Sequence, residues 1–273
     1  MAHLDPHRAH RAHRARRAVA TVVTLAAVAT AGPGCSGPEG AVDGRDPSRR
    51  TIRVLAAASL TEVFGDIERR FEAASGVGVT FEFAGSSTLV RHLADGAHGD
   101  VLVTADEQEM ARAADAGLVW PRTVVARNRL ALVVERGNPL RITSLEGAAR
   151  EPVKLVLCAP EVPCGRLAAE ALGRAALDAR PASLEQDVKA VLAKVVLGEA
   201  DAGLVYATDA TAAAGEVEEV AIAERLYDGG ALHTNYAAAV TKGARDGRAA
   251  RAFVDFLVDE GVTVFAAFGF MAP

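Results

Sequence analysis

The chain has 273 residues, of which 50% are hydrophobic and 24% charged, and its formal net charge at pH 7 is −5. This composition predicts a globular protein with enough apolar residues for one large or two small cores. The acidic balance argues against nucleic-acid binding, which needs a basic surface.

The first 35 residues differ in composition from the rest. A basic, histidine-rich stretch precedes the apolar run Ala18–Ala31 and then "GPGC", which ends at Cys35. This run is too short to span a bilayer comfortably, but it suits the core of a secretory signal. We therefore predict export, with Cys35 as a lipid attachment site. The alternative is a plain signal peptide cut nearby.

Removal of the leader makes the chain more acidic. Residues 1–34 hold five arginines and one aspartate, so 25 basic and 34 acidic residues remain, a net charge of −9. Four of the seven histidines also lie in the leader. The others, His92, His98 and His233, are far apart in sequence, which argues against a histidine-based metal site.

After a Gly- and Pro-rich stretch at 36–50, predicted to be a flexible tether, strand and helix patterns alternate. The spacing predicts strands at 51–58, 77–83, 100–105, 128–137, 153–159, 202–207, 216–223 and 234–240. It predicts helices at 60–74, 87–96, 106–117, 144–149, 165–177, 184–198, 250–260 and 262–269. Strands that alternate with helices imply parallel βαβ units and an α/β fold.

Four junctions between a strand and a helix form the predicted ligand site, because open α/β sheets bind ligands at the carboxyl ends of their strands. Ser59 and Ser86 stand at two of them, Cys164 follows Pro163 at the third, and Val188 follows Asp187 at the fourth. Backbone N–H groups at helix starts lack partners and attract anions, and serine hydroxyls add donors. The alternative is that the serines only cap their helices.

Two cysteines flank the predicted turn "APEVP". Cys158 and Cys164 are six positions apart, and in an exported protein this arrangement predicts a disulfide. Two free thiols are the alternative.

Five segments, in order from Ile52 to Phe270, resemble the molybdate-binding proteins of ABC transporters. They are "VLAAASLTEVFGDIERRFE", "FAGSSTLVRHLADGAHGDVLVTAD", "PEVPCGRLAAEAL", "EQDVKAVLAKVVLGEADAGLVYATDA" and "FGF". The resemblance implies a type II periplasmic binding protein-like fold, with two α/β lobes and one oxyanion in the cleft. We expect one lobe at 51–131 plus 237–273 and the other at 132–236, joined by the strands "NRLALVV" and "NYAAAV".

The resemblance also implies a set of ligand contacts. These are the hydroxyls of Ser59, Ser86 and Tyr206 and the backbone N–H groups of Cys164 and Val188. Cys164 stands where the family has alanine. Gly85 stands where it has a serine, a change from which we expect little effect.

The function predicted from these features is capture of molybdate or tungstate, without a cofactor, for delivery to an ABC permease. We expect an exported monomer held at the membrane surface by a lipid anchor, with no enzymatic activity. Sulfate or another tetrahedral oxyanion is the first alternative. The others are an enzyme on the same fold, although no histidine motif accompanies the candidate nucleophiles, and a ferric-ion binder that uses the tyrosines at 206, 227 and 236.

Overall fold

The structure is a computed structural model that describes residues 50–227 and 232–273. The predicted leader, Cys35 and tether residues 36–49 lie outside these ranges. The strands are β1 (Thr51–Ala57), β2 (Gly78–Ala84), β3 (Val101–Thr104), β4 (Thr123–Glu135), β5 (Leu155–Cys158), β6 (Ser183–Glu185), β7 (Ala202–Tyr206), β8 (Val217–Val220) and β9 (His233–Val240). The helices are α1 (Thr61–Ser75), α2 (Ser86–Ala94), α3 (Glu107–Asp115), α4 (Leu145–Ala148), α5 (Pro163–Arg174), α6 (Val188–Val196), α7 (Ala207–Ala212), α8 (Gly247–Asp259) and α9 (Gly261–Ala267).

The strands form one mixed sheet in the order β2-β1-β3-β9-β4-β7-β5-β6, with β8 also paired to β4. At one end β1 is parallel to β2 and β3, and at the other β5 is parallel to β6 and β7. The central strands β4 and β9 run antiparallel to their neighbours. The predicted α/β fold is confirmed, with two parallel groups of strands on either side of an antiparallel centre.

Strand β4 links the two groups. Its first part, from Thr123 to Arg129, pairs with β9, and its second part, from Leu130 to Val134, pairs with β7. The sequence predicted a strand only from Asn128 onwards. The register shifts between Val124 and Ala126, and such a shift interrupts the alternation of apolar and polar residues by which a strand is recognised.

The helix predicted at 184–198 begins later than expected. Residues Ser183–Glu185 form β6, which lies parallel to β5, and α6 starts at Val188. The Asp187 carboxylate accepts the N–H of Ala190 at 3.0 Å and so caps α6. Pairing with β5 therefore decides the conformation of residues 184 and 185, which local periodicity assigned to the helix.

Aromatic packing joins the C-terminal helices to α1. Phe71 of α1 and Phe253 of α8 meet edge to face with their ring centroids 5.1 Å apart. Phe64 of α1 lies 6.3 Å from Phe265 of α9, centroid to centroid. Helices α8 and α9, which follow β9, therefore pack on α1, the first α-helix of the described residues. Within the described ranges no helix combines the length and apolar character that a membrane crossing needs.

Candidate functional site

The carboxyl ends of both parallel groups of strands border one small cavity. Its volume is about 20 Å³, so it is a small cavity. All five predicted contact residues are among those that line it: Ala57, Ala58, Ser59, Gly85, Ser86, Ala105, Val162, Pro163, Cys164, Asp187, Val188 and Tyr206.

Neither predicted serine caps its helix. Ser86 is the first residue of α2, and its Oγ accepts the backbone N–H of Ala105, at the end of β3, at 2.9 Å. Ser59 lies in a 3₁₀ turn before α1, and its Oγ is 2.7 Å from the Tyr236 hydroxyl. Both side chains are buried, at 3% exposure for Ser59 and 1% for Ser86. Tertiary partners, not helix ends, therefore orient these hydroxyls.

Two helix starts contribute backbone donors from the opposite wall. Cys164 is the second residue of α5, which begins with Pro163 and has no side-chain cap on its preceding residue. Val188 is the first residue of α6, whose Asp187 cap serves Ala190 instead. N–H groups in a first turn have no acceptor in their own helix. The N–H groups of Cys164 and Val188 can therefore donate to a bound acceptor.

The Tyr206 hydroxyl is a buried polar group that lacks a hydrogen bond. Tyr206 ends β7 and is 1% exposed, and its Oη has no partner in the part of the chain that the structure describes. Burial raises the pKa of this phenol well above its ordinary value, so it keeps its proton. An unpaired buried hydroxyl is unfavourable unless a ligand supplies the acceptor.

Charged side chains beside the cavity are paired with one another. Arg166 of α5 contacts Asp106 Oδ2 at 2.5 Å and Glu109 Oε1 at 2.9 Å, both on the α3 side. Lys189 of α6 lies 2.7 Å from Glu62 of α1 and 2.7 Å from Asp209 of α7. Each cation thus has two carboxylate partners. The pairs of Arg166 with Asp106 and Glu109, and of Lys189 with Glu62, join elements from the two ends of the sheet. The sequence reasoning missed both groups, since no local pattern marks them.

The backbone at position 85 comes so close to the opposite wall of the cavity that a glycine is required there. This differs from the expectation that glycine in place of the family's serine has little effect. A Cβ at this position would lie 2.2 Å from the backbone oxygen of Gln186 on the opposite wall. Backbone atoms cannot move aside as a flexible side chain can, so only glycine permits this approach. A serine here would hold the two walls apart.

Cys158 and Cys164 form a disulfide, with their Cα atoms 5.7 Å apart. The bond connects the end of β5 to the start of α5. It therefore ties the Cys164 N–H to the sheet.

No metal-binding cluster accompanies the cavity. Residues 50–227 and 232–273 contain no group of three or more histidine, cysteine, aspartate or glutamate side chains placed to hold a metal ion. His92 instead pairs with Glu82 at 2.9 Å, and His98 lies 3.4 Å from Asp100.

Comparison with known proteins matches residues 52–271 to the family described as bacterial extracellular solute-binding protein. The molybdate-binding protein ModA of Mycobacterium tuberculosis is 38% identical over 223 residues, which cover 81% of this chain and 84% of that protein. ModA of Escherichia coli is 31% identical over 231 residues, 80% of this chain and 88% of that protein. These matches confirm the resemblance predicted from the sequence.

Two solved structures show the same fold. The periplasmic molybdate-binding protein of Azotobacter vinelandii superposes with a TM-score of 0.70 at 17% identity, over 81% of this chain and 99% of that one. The sulfate-binding protein SubI of Mycobacterium tuberculosis gives 0.71 at 21% identity, over 82% and 87%. At these identities the similarity concerns the fold alone.

Proposed function

The chain belongs to the bacterial extracellular solute-binding protein family, and we propose that it captures molybdate or tungstate and delivers it to an ABC importer. One observation carries the proposal: the cavity offers five hydrogen-bond donors, and the one carboxylate among its lining residues, Asp187, already accepts the N–H of Ala190. The donors are the Ser59, Ser86 and Tyr206 hydroxyls and the N–H groups of Cys164 and Val188. The ModA relatives, at 38% and 31% identity, are named for molybdate binding.

A tetrahedral dianion fits a set of donors because each of its oxygens only accepts hydrogen bonds. A hydrogen bond to a charged partner contributes about 1.5–3 kcal/mol, so five such bonds can offset the loss of the anion's hydration. Positive side chains are not needed, since helix starts supply partial positive charge. Arg166 and Lys189 are instead neutralised by carboxylates.

Sulfate remains the second candidate ligand. It is also a tetrahedral acceptor, and the fold is shared with a sulfate-binding protein. Phosphate fits less well, because its protonated dianion needs an acceptor in the site. The two ModA relatives, which are named for molybdate binding, favour molybdate over sulfate.

The enzyme and ferric alternatives find less support. A serine or cysteine nucleophile needs a base beside it, and none of the cavity residues is a histidine. For ferric iron, several tyrosines would have to converge. Tyr227 instead donates to the Leu130 carbonyl at 2.8 Å and, unlike Tyr206, is not among the residues that line the cavity.

We propose further that the site closes by movement of two lobes, residues 51–131 with 237–273 and residues 132–236. Residues 228–231 of the second lobe lie outside the described ranges. The pairing of β4 with β9 on one side and with β7 and β8 on the other supports this division. Hinge closure around a ligand is a general device of binding proteins.

Export by the leader and attachment through Cys35 complete the proposal. The protein then works as a monomer at the membrane surface and meets its permease there. Family membership supports an extracellular site of action. Mass spectrometry of the membrane-extracted protein tests attachment: a diacylglycerol on Cys35 supports it, and an unmodified N-terminus near residue 35 contradicts it.

Isothermal titration of a chain that begins at residue 36 tests the ligand. We expect tight binding of molybdate and tungstate, much weaker binding of sulfate and negligible binding of phosphate at the concentrations that saturate the site with molybdate. Ser75→Ala serves as a control, because Ser75 bonds only within its own helix end, about 20 Å along α1 from the cavity. Equal affinity for sulfate and molybdate contradicts the ligand assignment.

A further inference from the structure

A chain of buried polar groups lies behind the Ser59 hydroxyl. The Tyr236 Oη is 2.7 Å from Ser59 Oγ and 3.5 Å from Asn128 Nδ2, and the same Nδ2 is 2.8 Å from Thr208 Oγ1. Ser59, Tyr236, Asn128 and Thr208 are all at most 7% exposed. Only Ser59 of these four lines the cavity, so the other three act on a ligand through it.

The orientation of the Asn128 amide follows from its backbone neighbour. The N–H of Arg129 lies 2.9 Å from one end of the amide, and a backbone N–H can only donate. That end of the amide must therefore be the oxygen. The NH₂ group then faces Tyr236 and Thr208.

This orientation sets the direction of the next hydrogen bond. The Asn128 NH₂ has two hydrogens and no acceptor, so the Tyr236 Oη accepts from it. Burial raises the pKa of Tyr236 above its ordinary value, and the phenol keeps its own hydrogen. That hydrogen is then available to Ser59, the other neighbour of Oη.

Ser59 consequently has one of its two acceptor lone pairs occupied by Tyr236. When its Oγ accepts from Tyr236, the serine hydrogen points away from Tyr236, and the open direction is the cavity. Ser86 reaches the same state by a shorter route, because its Oγ accepts the Ala105 N–H. Both serines then present hydrogens to a ligand.

We propose that Tyr236 and Asn128 are positioning residues that hold the Ser59 hydroxyl as a donor and thereby select oxyanions that carry no proton. The proposal rests on the proposed oxyanion-binding function and adds the residues that determine selectivity. A protonated oxyanion would bring its O–H against a serine hydrogen, where that O–H finds no acceptor, which is unfavourable in a buried site. Asp187, the one carboxylate among the lining residues, is engaged at Oδ1 by the Ala190 N–H.

Sulfate and monohydrogen phosphate provide the test, because both are tetrahedral dianions and differ by one proton. The measured quantity is the ratio of their dissociation constants, obtained by calorimetry at a pH where phosphate is the monohydrogen dianion. In Tyr236→Phe the Ser59 oxygen is free to accept, so the preference for sulfate should fall about tenfold.

Asn128→Asp should reverse the direction of the chain. A carboxylate at position 128 accepts from Tyr236, which then accepts from Ser59 and leaves the serine oxygen facing the cavity. The preference of Asn128→Asp for sulfate over phosphate should therefore be smaller than the preference of Tyr236→Phe. The added negative charge weakens both dianions, and the ratio removes this common effect. Tyr227→Phe is the matched control, because its hydroxyl bonds to Leu130 outside the cavity, and it should keep the wild-type ratio.

The outcomes separate the two proposals. If the wild type binds none of molybdate, tungstate and sulfate, the proposed function is wrong. If it binds them and the ratio is unchanged in both folded variants, the positioning role of Tyr236 and Asn128 is wrong. Thermal unfolding of each variant establishes that it folds, and if only one of them folds, its ratio decides.

Discussion

Individual hydroxyl groups provide three of the five donors at the cavity, and each is held differently. Ser59 is oriented by a tyrosine, Ser86 by a backbone N–H, and Tyr206 by no partner within the described ranges. Substitutions at the three positions should therefore have different effects on binding and on stability.

Ser86→Ala should weaken both binding and folding. It removes a donor to the anion and leaves the buried Ala105 N–H without an acceptor. We expect a loss in molybdate affinity of about 10- to 100-fold and a loss of about 1–3 kcal/mol in the free energy of unfolding. Titration and chemical denaturation measure the two effects. Intact molybdate binding in the double variant Ser59→Ala, Ser86→Ala would show that the site is misassigned.

Tyr206→Phe should weaken binding without weakening the fold. The hydroxyl is buried and has no hydrogen-bond partner within the described ranges, so its removal leaves the free energy of unfolding unchanged or raises it by about 1 kcal/mol. Molybdate affinity should fall about tenfold or more, because a donor to a charged ligand is lost. A variant that loses stability and keeps its affinity would indicate a purely structural tyrosine.

At the scale of elements, the start of α2 and the loop before α6 meet across the cavity. Gly85→Ala places a methyl group 2.2 Å from the Gln186 oxygen, so the two walls must separate. We expect molybdate affinity to fall at least about tenfold, since a Cβ in this position must displace backbone. Titration measures the loss, and small-angle scattering should show no compaction on adding molybdate.

Gly243→Ala is the matched control for this substitution, because a Cβ there meets nothing within 4 Å. It should bind molybdate as the wild type does. Wild-type affinity in Gly85→Ala would show that the close approach is not needed for binding.

The disulfide acts on the start of α5. A loop this short adds only about 2 kcal/mol of stability by chain entropy, so we expect its larger effect to be local. By keeping the Cys164 N–H aimed at the cavity, it lowers the ordering cost of binding. Reduction of a chain that begins at residue 36 should weaken molybdate binding several-fold and leave the protein folded.

Thiol counting accompanies that measurement. Of the three cysteines, only Cys158 and Cys164 remain in the shortened chain. Two reactive thiols in the unreduced, denatured protein would show that the disulfide does not form, and the proposed role of the disulfide would then be wrong.

At the scale of the whole molecule, a buried carboxylate links stability to pH. Burial raises the pKa of Asp209 from 3.8 to about 6, although the Lys189 ammonium opposes the rise. A raised pKa means that the folded state binds the proton more tightly than the unfolded chain does. The resulting contribution of Asp209 to the free energy of unfolding is fully present below pH 3.8 and is lost as the pH rises through about 6.

Comparison with Asp209→Asn isolates this contribution. The free energy of unfolding of the wild type, relative to the variant, should fall by about 2 kcal/mol between pH 4 and pH 7. Denaturation at a series of pH values measures it. A constant difference between the two proteins would show that Asp209 does not titrate in this range.

The chain order of strands and helices was accessible from sequence because it depends on local periodicity. The alternation predicted the α/β fold, and the helix starts near Ser59, Ser86, Cys164 and Val188 were identifiable from the local sequence. Helix ends expose donors wherever they occur. A local signal was therefore sufficient to nominate four of the five donors, and the family resemblance added Tyr206.

Only the tertiary structure decided how those donors are held. Ser59 and Tyr236 are 177 positions apart, and Asn128 and Thr208 are 80 apart. Gly85 meets Gln186 only because the two ends of the sheet come together. Pairing with β5 likewise made a strand of residues 183–185. Contacts between distant segments leave no periodic pattern in a single sequence. The sequence shows only the neighbours of each residue along the chain and not the group that it contacts in the folded protein.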